Sequence, residues 1–294
     1  MRTFLLSFLG GVAALFVFFI VIPFAILMSV LPSSEPAPTR NAVLELDLRA
    51  ATDVQPAPDG FSALFSEQSF VEVLLKLNAA AKDPNVKGVF VRAAEFDMGS
   101  SRGEELRAAF LRLKEAGKFV IAHSQGFIAS GPGSYRAVAA ADELWIQPGA
   151  SFEVPGLAFE TVFLGGAFDR FEVDADIVQL YEYKNAPDVY KQTGYTAPHA
   201  ESLRALGESV WAGAAADIAA DRKLQPAQAR ALLEASPYTA EQAVELKLAD
   251  KLGWPEEAVE AAKQRADGEL VPIADYSAPE TGGDSVIAIV GGEG

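Results

Sequence analysis

Lys184 is the side chain whose type and surroundings best suit it to move a proton. It lies in IVQLYEYKNAPDVYKQT, Ile177 to Thr193, where a short apolar run passes into a polar loop. A lysine accepts a proton only when neutral, so its ordinary pKa of about 10.4 must fall by roughly 3 units, chiefly through desolvation. Burial between Tyr181, Tyr183 and the surrounding apolar strands would do this. The plainer alternative is a solvated lysine at a strand end, because lysine is mostly exposed. Lys191, in a polar loop, is a decoy. Glu182 complicates the case. Strand residues two apart share a face, and a carboxylate beside Lys184 would raise its pKa and oppose its use as a base.

The other candidates are few. His123 and His199 are the whole histidine supply. His123 beside Ser124 suggests a nucleophile with its base, but adjacent strand residues point to opposite faces, so neither serves the other. Neither histidine has carboxylates at metal-ligand spacing and the chain has no cysteine, so no metal and no cofactor is expected. Ser130 and Ser134 flank a glycine-rich loop that leads into a helix. Helix N–H groups there could hold a substrate backbone or an oxyanion, while loop and capping serines are the ordinary reading. Gly131 and Gly133 would allow close approach of an extended peptide.

With 294 residues, 50% of them hydrophobic, the chain can bury a large core in one large or two small domains. Its 40 acidic and 24 basic residues give a net charge of −16. Nucleic acid is therefore not an expected partner, since a phosphate backbone requires clustered Lys and Arg. The acidity is that of a solvated surface, or it draws in peptides with basic ends.

Elements to position these residues can be read in order. Residues 4–31 carry no charge and exceed the roughly 20 residues needed to cross a bilayer, so residues 1–31 are expected to be a transmembrane anchor. A cleaved signal peptide, the alternative, has an apolar region of only about 7 to 15 residues. Arg2 and the amino terminus before the span, against Glu35 and Arg40 after it, lean toward a cytoplasmic N-terminus. Residues 32–41, with PSSEPAPT, read as a stiff spacer. Ala42–Leu48 alternates as a strand. Ser69 and Glu72 form a capping-box signature ahead of a helix, VKGVFV from Val86 is a buried strand, and Ser101 with Glu104 opens a second helix closed by Gly117. Phe119–Ala122 and Glu143–Ile146 are further strands, with an alanine-rich helix ending at Ala141 between them. A helix over Val162–Phe171 leads to a strand Ile177–Leu180 and so to Lys184. Helices over 199–220, 226–234, 239–248 and 255–265 follow and are expected on one side of the sheet. Strand and helix alternating at short spacing predict α/β with parallel βαβ units. SVIAIV, Ser285–Val290, repeats the pattern of the first strand. It either completes the sheet or opens a second, similar unit, so 42–275 is expected as a first repeat and 276–294 as a linker with the first strand of another.

Several pieces, NVKGVFVR, GKFVIAHSQGFIASG, AAADELWIQPG and YEYKNAPDVYKQT with the helix after it, resemble the signal peptide peptidase SppA family of the crotonase and Clp protease superfamily, in particular the N-terminal half of its long, duplicated type. The most specific match is Tyr183-Lys184-Asn185-Ala186, against Tyr-Lys-Ser-Ala around the family's catalytic lysine. The resemblance implies a crotonase/Clp-like βαβ superhelical fold and a serine endopeptidase with a serine-lysine dyad. It further implies cleaved signal peptides as substrates, a homo-oligomer (a tetramer in the family) and a bacterial inner membrane with the soluble body on the periplasmic side. In short members the nucleophile sits in Ser-Gly-Gly-Tyr at a helix head, and counting back from Asp142 places Pro132 there, followed by Gly133, Ser134 and Tyr135. Proline is no nucleophile, so the resemblance assigns the serine to a second repeat and Lys184 to this one. The competing expectation is a catalytically silent membrane-tethered scaffold. Acyl-CoA chemistry on the crotonase fold is disfavoured by the anchor and spacer.

Overall fold

Strands that are apolar at nearly every position are buried on both faces, and two such runs form the centre of the sheet. They are β2 (Val86–Arg92) and β3 (Phe119–Ser124), flanked by β1 (Ala42–Asp47) and β4 (Glu143–Ile146). The computed structural model describes residues 2–25, 40–49, 68–128 and 131–279. The spacer Pro32–Thr39, the proline-containing loop after β1, Ser130 and the strand expected at Ser285–Val290 lie outside those residues.

The N-terminal helix is a unit separate from the α/β body. Helix α1 (Arg2–Phe16) runs into a π-helical turn, Val17–Val21. The wider turn comes just before Pro23, whose ring cannot accommodate the carbonyl four residues earlier in regular α geometry. Phe8–Ala25 has a mean hydropathy of 2.6 and no buried residue, so by length and composition it can cross a membrane, as a signal sequence also can.

In the body the expected βαβ alternation is present. Six strands form one parallel sheet in the order β7-β4-β3-β2-β1-β8, with β7 (Lys251–Leu252) and β8 (Leu270–Pro272) at its edges. A two-stranded antiparallel pair, β5 (Ser151–Phe152) with β6 (Tyr238–Thr239), lies apart from it. The capping box at Ser69 forms and starts α2 (Phe70–Lys82). The box expected at Ser101 does not. Helix α3 (Ser100–Glu115) starts earlier, behind Gly99 at φ 88°, and makes no side-chain cap. It closes as expected at Gly117, φ 77°, where the N–H groups of Gly117 and Lys118 bond the carbonyls of Lys114 and Leu113.

Helix α4 (Pro132–Ala139) is buried along its whole length against α3. Only glycine permits that approach, because a Cβ on Gly103 would lie 2.2 Å from the carbonyl oxygen of Gly133. Buried ions then fix α7 (Ala197–Asp221) to this pair. Arg136 of α4 bonds Asp217 and Glu104, and Arg107 of α3 bonds Asp217 and Asp221. Later come α8 (Pro226–Glu234), which packs on α7, α9 (Ala240–Glu245), capped by Thr239, and α10 (Pro255–Ala266). The late helices do not share one side as expected. Helix α10 packs on the sheet through Ala258, Ala262 and Ala266 against Val43, Phe90, Phe119 and Ile121, α9 touches edge strand β7, and α7 instead joins α3 and α4. The ionic joint decides this, since Asp217 and Asp221 find their arginines only there.

Two stability changes follow. Ala has the higher helix propensity by about 1 kcal/mol, yet Gly103→Ala is expected to destabilise by about 1 to 3 kcal/mol net, because overpacking against a backbone carbonyl wins. Chemical denaturation of the full chain in detergent measures it. His123 is buried, its Nε2 3.1 Å from the Gly253 carbonyl oxygen, and burial pushes its pKa below the ordinary value. The folded state thus binds the proton less readily than the unfolded chain. Stability is full above about pH 6.5 and falls as pH drops toward the folded pKa. His123→Gln, which keeps an N–H donor for Gly253, should flatten the part of the stability profile that falls below about pH 6.5.

Candidate active-site loop and the head of helix α4

The run expected as a strand, Ile177–Leu180, is not one. A strand needs a neighbour to take its N–H and C=O groups, and none pairs with this run among the described residues. Its apolar side chains point to solvent, Val178 at 84% exposure and Leu180 at 68%. The helix before it is also shorter than expected, α5 (Gly165–Arg170). Tyr181 then takes a positive φ of 65°, and the N–H of Lys184 reaches back to the Tyr181 carbonyl at 3.3 Å. The chain turns, so Glu182 and Lys184 do not sit on one strand face.

Lys184 is therefore exposed, on a loop instead of inside a strand layer. The burial expected from Tyr181 and Tyr183 is absent, since both rings are themselves exposed. Among the described residues no carboxylate forms an ion pair with Lys184, Glu182 included. The loop around it is nonetheless tied down. Tyr183 donates its hydroxyl to Glu201 at 2.9 Å, which pushes the Tyr183 pKa up, and Asn185 donates to Ser202 Oγ at 2.9 Å. Ser202 in turn donates to the carbonyl of His199. All three acceptors belong to the first turns of α7. After the loop comes α6 (Asp188–Lys191), and Lys191, the decoy, donates to the Ile177 carbonyl at 3.3 Å.

His199 is buried beside α6, packed edge-on against Phe163 and Tyr195. The Ser124 hydroxyl donates to the Gly126 carbonyl. His123 points the other way, to Gly253, as strand alternation requires. A groove of about 560 Å³ runs along α7 next to this region, lined by Leu157, Phe159, Tyr195, Leu203, Gly207 and Trp211.

The head of α4 is closed. Gly133 N–H donates to Asp97 Oδ1 at 2.9 Å, and Asp97 Oδ2 accepts from Gly99 N–H. Ser134 is fully buried, donating to the Phe96 carbonyl at 2.5 Å and accepting from Met98 N–H at 3.0 Å. The amide that an oxyanion would need already holds a carboxylate, and the serine stitches the 96–99 loop to the helix. A Cβ on Gly131 or Gly133 would collide with Asp97, so glycine at both positions lets the 96–99 loop close on the helix head. Ser134→Ala should lower the unfolding midpoint, at about 1 to 3 kcal/mol for the stranded Met98 N–H and Phe96 carbonyl. Peptide turnover in the complete protein should be unchanged. Parallel denaturation and peptide-cleavage assays separate the two effects.

Sequence reasoning missed Asp97 and Asp188. Asp97 gave no signal, being one acid in an irregular stretch, whereas Pro187-Asp188 and Thr196 ahead of Pro198 carry turn and capping chemistry that marks where α6 and α7 begin.

The sequence profile of peptidase family S49 matches residues 112–269, which include the head of α4 and the whole Lys184 loop. Over 267 residues the chain is 25% identical to the chloroplastic serine protease SPPA of Arabidopsis thaliana, covering 85% of this chain and 38% of that protein. Over 180 residues it is 27% identical to protease 4 of Haemophilus influenzae, covering 59% and 28% respectively. The chain thus spans less than two fifths of the length of either relative. Among solved structures, an enoyl-CoA hydratase/isomerase family protein from Silicibacter pomeroyi overlaps 80% of this chain and 84% of its own at 15% identity, with a TM-score of 0.43.

Proposed function

Because the chain belongs to peptidase family S49, we propose that it is the lysine-bearing part of a membrane-anchored serine endopeptidase that hydrolyses cleaved signal peptides and other peptides near the membrane. One observation carries the reading. Lys184 stands exposed on a loop tied to α7, with no carboxylate among the described residues paired to it, while at the helix head Pro132 has no hydroxyl and the Gly133 amide is taken by Asp97. Among the described residues a base is on offer here and a nucleophile is not. The serine comes from a second, similar unit, in the same polypeptide or in a neighbouring subunit.

In the assembled site the serine hydroxyl gives its proton to neutral Lys184 as its oxygen attacks the peptide carbonyl. Lys184 then returns that proton to the departing amine, leaving an acyl-enzyme that water hydrolyses. Neutral lysine requires desolvation, and among the described residues nothing covers Lys184. The partner unit supplies it by covering the exposed run Ile177–Tyr183, where an added strand would take the unpaired backbone groups and bury Val178 and Leu180. A homo-oligomer, tetrameric by family resemblance, is the natural arrangement for that. The layout that goes with the reading is an anchor over residues 1–31, a spacer over 32–41, a lysine-bearing repeat over 42–275 and the start of a second repeat over 276–294. The protein sits in a bacterial inner membrane with its body on the periplasmic side.

A second reading, a silent tethered scaffold of the same fold, draws on the solvation of Lys184 in this chain. Lys184→Ala in the complete protein decides between them. The peptidase reading expects kcat for peptide hydrolysis to fall by about 10²- to 10⁴-fold, the usual worth of a general base, with assembly size unchanged. Unaltered turnover would leave the scaffold.

A further inference from the structure

Asp188 is the most buried carboxylate among the described residues, at 2% exposure, and no step proposed above uses it. Its two oxygens hold three segments together. Gln179 Nε2 donates to Oδ1 at 3.1 Å, and Thr196 Oγ1 donates to Oδ2 at 3.0 Å. His199 Nδ1, buried and otherwise without a hydrogen bond, lies 3.4 Å from Oδ2. Gln179 precedes Lys184 and Asp188 follows it, so the Gln179–Asp188 bond closes the chain into a short ring with Lys184 on its outer side. Thr196 is the N-cap of α7, accepting from His199 N–H, so the same carboxylate fastens the ring to the start of that helix. From behind, the entry of α5 seals α6: Leu164 N–H bonds the Val189 carbonyl at 2.7 Å and Gly165 N–H the Gln192 carbonyl at 3.1 Å. Gly165 must be glycine for this, because its Cβ would meet Gln192 O at 2.5 Å.

We propose that Asp188 is the positioning residue for Lys184, a buried clamp that holds the lysine loop in a single conformation on the first turn of α7 before any partner arrives. The proposal rests on the reading of Lys184 as the base. The physical need for such a clamp is plain: an exposed loop of polar residues loses entropy on docking, and a misplacement of about 1 Å at a reacting group costs up to about 10²-fold in rate. Tyr183 and Asn185 fasten the loop at its surface, where their bonds compete with water; Asp188 does so where water is excluded.

The test uses the complete protein in detergent, with four variants. Asp188→Ala removes both arms of the clamp and Gln179→Ala, at a half-buried site, opens the ring while leaving the Asp188–Thr196 contact, so a folded variant is in hand if the first misfolds. Lys184→Ala reports on the base. Hydrogen exchange over residues 180–188 is measured together with kcat and KM for peptide cleavage. The expected result is faster exchange confined to this loop and a fall in kcat of about 10- to 100-fold with KM little changed, and partial recovery of kcat in Asp188→Asn, which keeps the acceptor for Gln179. Unchanged exchange in both clamp variants overturns the clamp. Faster exchange with normal kcat, where Lys184→Ala is inactive, overturns its role in positioning. Activity retained in Lys184→Ala instead overturns the base, and exchange then judges the clamp by itself.

Discussion

A parallel sheet has no face that tolerates water, and most of this molecule is arranged to satisfy that. β2 and β3 are apolar on both sides and must be covered on both. Helix α10 covers β1 to β3 with three alanines, residues small enough to let the helix lie close to Phe90, Phe119 and Ile121. Elsewhere the cover is built on contact between α3 and α4, where two glycines bring backbones together and make α4 an entirely buried element. Because α4 is buried, its one arginine must be neutralised inside, and Asp217 does that from α7. The placement of α7 thus descends from the sheet's need for cover, and the lysine loop is bonded to the first turns of α7. Sheet, glycine contact, buried ions and loop form one chain of dependence.

That order also explains which parts were legible in the sequence. Ser69 with Glu72, Gly117, and the all-apolar runs of β2 and β3 state their structure locally, through hydrogen-bonding geometry and burial that involve only near neighbours. β7 and β8 are two- and three-residue edges held by register with β4 and β1, and no periodicity can exist in so few residues. The run Ile177–Leu180 fails for the opposite reason. Its pattern is that of a strand, but a strand is a relation between two segments, and the second is absent from the described residues.

The functional residues divide in the same way. Lys184 is marked as a candidate by its flanking motif, which is a string of neighbours, while its exposure follows from the turn at Tyr181, which no local pattern announces. At the head of α4 a remote carboxylate, Asp97, takes the Gly133 amide, and Ser134 bonds the Phe96 carbonyl and the Met98 N–H. Nothing near residue 133 in sequence announces that carboxylate. Asp188 lies between these cases: the turn chemistry around it is visible, but the convergence of Gln179, Thr196 and His199 on it comes only with the fold.

The exposed apolar segment before Lys184 creates a hazard as well as an opportunity. An extended, greasy run with unpaired backbone is the template on which chains stack into aggregates. Here it is bracketed by Glu172, Asp174, Asp176 and Glu182, and the chain as a whole carries a charge of −16. Those acids serve as gatekeepers: two identical runs laid side by side would stack like charges and repel, while a different strand, free of acids at those places, would not. Glu182, at the end of that run, thus adds to the charge that opposes self-stacking of an exposed apolar segment.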